Sequence, residues 1–150
     1  PPSLLQDLQR SVQDLRGPAP DLVIIGRRDV RTNNSWMHNL PVLAKGPMRC
    51  TALVHPVDAQ RLGLQDGALA NIRSAGGQVQ AQVHVTQDMM PGVVSLPHGW
   101  GHDAPGAQLR VAAERPGANI NALLDDQLRD PLSGNAVLGG VAISMQAVVA

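Results

Sequence analysis

Residues 26–39 read Gly26-Arg27-Arg28-Asp29-Val30-Arg31-Thr32-Asn33-Asn34-Ser35-Trp36-Met37-His38-Asn39, a stretch dense in donors and acceptors beside one large ring. Arginine forks grip phosphate or carboxylate oxygens, asparagine amides match the edges of a polar ring, and an indole offers a flat face. A polar loop pinned to a strand end suits a ligand with charged oxygens and a flat heterocycle. The same residues also suit an exposed, solvated loop with Trp36 as a local apolar plug, and the pattern leaves both readings open.

A second cluster is Pro97-His98-Gly99-Trp100-Gly101-His102-Asp103. His98 and His102 have the spacing of a helical metal pair, but Pro97, Gly99 and Gly101 argue against a helix, and without one the spacing has no geometric meaning. Glycines on either side of Trp100 let backbone amides approach a ligand closely, as in phosphate cradles. The other reading is a glycine-rich turn around a packed Trp. A third stretch, residues 115–135, holds Asn119 and Asn121 at the start of a short helical turn, where capping is the simpler role for one of them. Asp130-Pro131 and Ser133-Gly134-Asn135 read as turns.

No nucleophile constellation appears. There is no Gly-x-Ser-x-Gly elbow, Glu114 is the only glutamate, and neither Gly-x-Gly-x-x-Gly nor a Walker-type loop occurs. A self-contained enzyme is not expected, and no catalytic or metal-ligating residue is assigned. The single cysteine, Cys50, excludes a disulfide framework, a four-cysteine zinc site and an iron–sulfur cluster held by this segment alone.

The elements that must position these loops are short. Residues 3–16 place Leu4, Leu5, Leu8, Val12 and Leu15 on one helical face, and Gly17-Pro18-Ala19-Pro20 follows as a linker. Residues 1–20 are thus expected to be an amphipathic helix and linker, belonging to a preceding region or docking as an appendage, and residues 21–150 the domain. Within it, strands are expected at 22–25 (buried on both faces), 50–54, 68–74, 79–85, 92–96 and 141–149, with brief helices at 56–61 and 119–124. Ala75-Gly76-Gly77 closes a hairpin with one wet face. Short mixed strands without βαβ alternation point to a closed or nearly closed barrel, and long polar connections in a compact domain usually bind something.

Composition narrows the partners. The chain has 150 residues, enough for one domain with a core. Hydrophobic residues make up 43% but aromatic ones 1%, so aliphatic side chains must fill the core. Twelve basic and twelve acidic residues cancel, which removes the field that gathers a protein on nucleic acid or anionic lipid. No apolar run is long enough for a spanning helix, and no leader of charged and apolar segments opens the chain. The opening at Pro1, on a helix without a cap, suggests a piece of a longer polypeptide, for which a cytoplasmic location is expected.

The ordered set of motifs resembles the C-terminal dinucleotide-binding domain of molybdopterin oxidoreductases, the group of formate dehydrogenases, nitrate reductases and dimethyl sulfoxide reductases. The marks are Gly26-Arg27, Asn33-Asn34-Ser35-Trp36, His55-Pro56-x-Asp58-Ala59 with Leu62-Gly63-Leu64 and Asp66-Gly67, Met90-Pro91-Gly92-Val93-Val94, Gly99-Trp100-Gly101, and finally Asn119, Asn121 and Asp130-Pro131-x-Ser133-Gly134. Many relatives put His and Thr where this chain has Asn33 and Asn34.

The resemblance implies a mainly β fold with short helices, a double-psi β-barrel. It would cap bis(molybdopterin guanine dinucleotide), while upstream domains of the same polypeptide hold the molybdenum or tungsten and any iron–sulfur cluster. It also implies cofactor contacts by position: Arg27, Arg31, Asn33, Asn34, Ser35, Trp36 and His38 in the first loop, His98, Gly99, Trp100 and His102 in the second, Asn119 and Asn121 in the third. The parent is read as formate dehydrogenase-like, with nitrate reductase next. The rivals are a barrel that serves as a protein-binding adaptor and a decarboxylase-like barrel enzyme, which would need a self-processing Gly-Ser pair absent from this chain.

Overall fold

The computed structural model describes residues 1–148. Among these residues four α-helices, one 3-10 turn and seven strand segments alternate. α1 (Pro2–Arg16) buries none of its residues. β1 (Val23–Arg27) follows, then α2 (Pro41–Ala44), β2 (Thr51–Val54), α3 (Pro56–Leu62) and the hairpin of β3 (Leu69–Arg73) and β4 (Gln78–Val85). β5 (Val93–Pro97), α4 (Arg110–Ala113), the 3-10 turn Ile120–Leu123, β6 (Val141–Ala142) and β7 (Ser144–Ala147) complete the order.

The strands form one sheet in the order β6-β1-β5-β2-β4-β3-β7. β6 and β7 are consecutive in sequence, joined through Ile143, yet β6 pairs with β1 and β7 with β3 at the opposite edge. One stretch of chain therefore bonds both edges, and the sheet closes into a six-stranded barrel. β1 runs parallel to β5 and β2 parallel to β4, while β2 meets β5 antiparallel. Two interlocked parallel pairs inside an otherwise antiparallel barrel make the fold the double-psi β-barrel that the family resemblance implies.

Aliphatic side chains fill the interior. Ile24, Ala52, Val54, Ala70, Ile72, Val94, Leu96 and Leu123 have no solvent exposure, and Leu22 and Val83 have almost none. β4 buries Ala81 and Val83 and leaves Gln78, Gln80 and His84 outside, as period-two alternation requires. β1 departs from expectation: Ile25 is 38% exposed, so the strand is buried on one face only. Its other face opens into a cleft. The strand buried through both faces is β5, which lies between β1 and β2. Val149, the last residue of the strand expected at 141–149, lies outside the described residues; the portion inside them is broken at Ile143, where the chain changes sheet edge. Among the described residues no helix is long and apolar enough to cross a membrane.

Several of the recurring motif residues hold the frame. His55 caps α3 by accepting from the Val57 N–H at 3.2 Å, Pro56 begins the helix, and Gly63 ends it in the left-handed region at φ 64°. Inside the helix Asp58, 4% exposed, accepts from the Gly92 N–H at 2.7 Å and from Arg61 at 3.2 Å. It thereby ties α3 to the turn that launches β5. Asp58→Ala leaves the Gly92 N–H without a partner and is expected to lower the unfolding free energy by about 2 kcal/mol, read as a fall in Tm on thermal denaturation; Asp58→Asn, which keeps one acceptor, should lose less.

Candidate functional site

The pairing of β1 with β5 decides where two of the three polar loops emerge. The strands are parallel and in register from Val23 opposite Val93 to Arg27 opposite Pro97. The loops that follow them, residues 28–39 and 98–103, therefore leave the barrel side by side at one rim. The third loop, residues 115–135, reaches the same rim by packing on the second: the Gly101 N–H donates to the Pro116 carbonyl at 2.7 Å. Cys50, at the entrance to β2, anchors this loop from below, its Sγ accepting from the Ala118 N–H at 3.1 Å. Burial pushes the Cys50 thiol above its ordinary pKa, which suits a structural rather than a reactive sulfur.

Glycines make the close approaches. A Cβ on Gly99, whose φ is 86°, would lie 2.0 Å from the Asn34 carbonyl oxygen; one on Gly101 would lie 2.6 Å from Asn119 Cβ. One on Gly117 would meet Trp100 and Cys50 at 2.7 and 2.8 Å. From the sequence, the glycines around Trp100 suit a ligand; in the structure they admit neighbouring loops, and the Gly101 N–H is already bonded. The hairpin between β3 and β4 supports the third loop in the same way, with Ser74 donating to the Leu123 carbonyl at 2.7 Å and Gly76 leaving no room for a Cβ beneath Leu124.

The loops enclose two distinct places. The first is a cleft of about 340 Å³ lined by Ile25, Gly26, Arg27, Arg28, His98, Ile120, Asn121, Leu124, Leu138 and Gly139. At its mouth the Arg28 guanidinium donates to Asn34 Oδ1 and lies 3.0 Å from His98 Nε2. Asn33 and Asn34 both sit at positive φ, 40° and 64°, a conformation that Asn tolerates better than most residues. Arg28 was not singled out from the sequence. Two adjacent arginines at a strand end point to different sides, and only the tertiary structure says which side faces the cleft.

Arg27 contributes to the cleft wall but turns its guanidinium the other way. Its guanidinium donates to the carbonyls of Ser95 (2.6 Å), Thr51 (2.7 Å) and Arg49 (3.2 Å) and to the Thr51 hydroxyl at 3.2 Å. Burial holds its pKa below the usual guanidinium value. Arg27 thus laces β1, β2 and β5 together, and its donors are engaged within the barrel.

The second place lies behind the first loop, where Arg31 lines a small enclosed cavity with Thr32, Met37, His38, Arg49, Trp100 and Arg115. His38 is 6% exposed and packs on Trp100 with ring centroids 4.2 Å apart; His102 meets His38 edge-on, with His38 Nδ1 and His102 Nε2 in direct contact. His38 Nε2 and Trp100 Nε1 are buried without a hydrogen-bond partner among the described residues. Burial, then the neighbouring His102, lowers the His38 pKa to about 4, and burial also lowers that of His102. His98 and His102 thus turn to different neighbours, His98 to Arg28 and His102 to His38.

The remaining positions divide plainly. Ser35 is half-buried, its carbonyl accepting from the His38 N–H at 3.3 Å. Trp36 is 82% exposed, so it plugs nothing; Trp100 is the packed indole. Asn119 caps the 3-10 turn by accepting from the Asn121 N–H at 3.1 Å, and Asn121 lines the cleft. Asn39, also unremarked in the sequence, accepts from the N–H groups of Val111 (2.9 Å) and Ala112 (3.2 Å) and holds α4 to the first loop.

Comparison with known proteins follows the same outline. The sequence model of the "Molydopterin dinucleotide binding domain" family matches residues 22–142. A tetrathionate reductase subunit of Salmonella typhimurium is 44% identical over 61 residues, covering 41% of this chain and 6% of its own length. ArrA, the molybdopterin-containing subunit of the arsenate respiratory reductase of Chrysiogenes arsenatis, is 26% identical over 130 residues, 79% of this chain and 15% of its own. Dimethyl sulfoxide reductase DmsA of Escherichia coli is 38% identical over 70 residues, 47% and 8% respectively. The chain spans at most 15% of these relatives. Acetylene hydratase from Pelobacter acetylenicus shares the fold, with a TM-score of 0.69 and 24% identity over 84% of this chain and 18% of that one.

Proposed function

Because the chain belongs to the molybdopterin dinucleotide-binding domain family, we propose that its barrel closes over a bis(molybdopterin guanine dinucleotide) cofactor in a larger oxidoreductase, through the rim where the three loops meet. The observation that carries this reading is the convergence of Arg28 from the first loop, held there by Asn34, His98 from the second and Asn121 from the third on one cleft.

The residues fit such a group. Arg28 offers a cation to pyrophosphate oxygens, and Asn121 and Asn34 offer amide donors and acceptors to a heterocycle edge. Ile25, Ile120, Leu124 and Leu138 supply apolar walls for a ring face. At about 340 Å³ the cleft is at the small end of ligand sites. It accepts one ring with its phosphate; the rest of so large a cofactor must be enclosed by the upstream domains. When bound, the cofactor supplies two-electron redox chemistry at its dithiolene-held molybdenum or tungsten; this chain's residues bind, orient and exclude water.

Of the parent's activity, the motif order favours a formate dehydrogenase-like enzyme, whereas the relatives' names favour a reductase of a small oxidised substrate, such as tetrathionate, arsenate or a sulfoxide. A full-length parent assayed with reduced viologen and those oxidants, against oxidised viologen and formate, separates the two. For the barrel itself, guanosine diphosphate is expected to raise Tm while a library of apolar peptides does not. Stabilisation by a peptide alone would favour the adaptor reading and overturn this one.

A further inference from the structure

The second place on the rim, behind the first loop, has a chemistry that cofactor binding leaves unused. His38 belongs to the first loop and His102 to the second, and their rings touch through nitrogen atoms. We propose that this contact is a proton-sensitive latch: the neutral pair holds the first loop on the second, and one added proton releases it.

The two facing nitrogens share one hydrogen, one ring donating and the other accepting. His38 Nε2 is buried without a partner among the described residues. A buried N–H with no acceptor is a rarer arrangement than a bare lone pair, so the hydrogen of neutral His38 is assigned to Nδ1, donating to His102 Nε2, and Nε2 is left bare. An added proton has two destinations. On His102 Nε2 it collides with the His38 N–H; on His38 Nε2 it creates a buried imidazolium with nothing to accept its hydrogen. Both favour an open arrangement that reaches water.

The surrounding charges do not rescue the closed, protonated form. Arg31, Arg49 and Arg115 line the cavity beside His38 and oppose a further positive charge. Asp29 lies near enough to favour protonation of His38 but pairs with Arg49 at 3.8 Å, and Asp103 acts on His102 in the same sense. Burial outweighs both: the His38 pKa falls to about 4 against an ordinary histidine value of 6.5. A group depressed in the closed state binds its proton more readily once open. Closure is therefore fully favoured above the ordinary histidine value and weakens as pH falls toward the depressed one.

The test needs no cofactor, so it stands apart from the binding reading. Amide and histidine-ring nitrogen resonances of the chain are followed by NMR from about pH 7.5 down to about 4. Amides of residues 33–38 and 98–102 should shift together while barrel-strand amides stay in place, and the open population should rise by up to roughly tenfold per pH unit. At neutral pH, His38 should show the Nδ1-protonated tautomer. His102→Gln should shrink the acid step without abolishing it, since a carboxamide oxygen accepts from His38 in either protonation state and only the burial of a His38 imidazolium then favours opening; His102 is only half-buried, so the variant should fold. An unchanged step in His102→Gln, a His38 ring that titrates like an exposed histidine, or barrel unfolding in the same step would overturn the latch.

Discussion

Gly99→Ala is expected to separate the first loop from the second and to lower thermal stability by about 3 kcal/mol. Two costs add. The residue sits at φ 86°, where a side chain is strained, and its Cβ would fall 2.0 Å from the Asn34 carbonyl oxygen, a backbone atom that cannot rotate aside. Gly106 supplies the control: its φ is 87°, but nothing lies within 4 Å of its Cβ position. Gly106→Ala carries the backbone strain alone, about 1 kcal/mol. The difference between the two variants in thermal unfolding isolates the loop contact. Because Asn34 also receives the Arg28 guanidinium, Gly99→Ala should abolish guanosine diphosphate stabilisation as well, whereas Gly106→Ala should retain it.

Arg28 and Arg27 should part company in mutation although they are neighbours. Arg28 is exposed and bonds across the cleft mouth to Asn34 and His98. Arg28→Ala should leave Tm within about 2 °C of the parent chain, since exposed contacts contribute little to stability. It should weaken guanosine diphosphate binding by roughly ten- to a hundredfold, the worth of a charge-assisted hydrogen bond. Arg27→Ala should do the reverse. It strips a cation from the carbonyls of Ser95, Thr51 and Arg49, leaving them unsatisfied at about 1–3 kcal/mol each before relaxation. Tm should fall steeply, with nucleotide affinity at permissive temperature nearly unchanged. Equal affinity losses from both variants would mean that both arginines face the ligand.

What the sequence displayed and what it concealed follow one physical division. The alternation of Val79, Ala81, Val83 and Val85, and the Pro56 and Gly63 brackets of α3, are local signals, and each marks an element of the structure. α2 and α4 went unread because helices of four residues carry no periodicity; α4 is held by Asn39, a side chain 72 residues earlier. The arrangement of the rim is likewise non-local. His38 and His102 are 64 residues apart and Arg28 and His98 70 apart, so nothing short of the β1/β5 register pairs them. Glycines were legible as places of close approach, but not what would approach. Asp58 and His55, prominent among the family marks, hold the barrel's frame rather than the cleft.

Three loops from distant parts of the chain make one ligand site, and residue-resolved NMR during the guanosine diphosphate titration measures this most directly. Saturable shifts are expected at Arg28, Asn34, His98 and Asn121 together, with one common dissociation constant. Shifts confined to a single loop, or centred on the opposite end of the barrel, would contradict it.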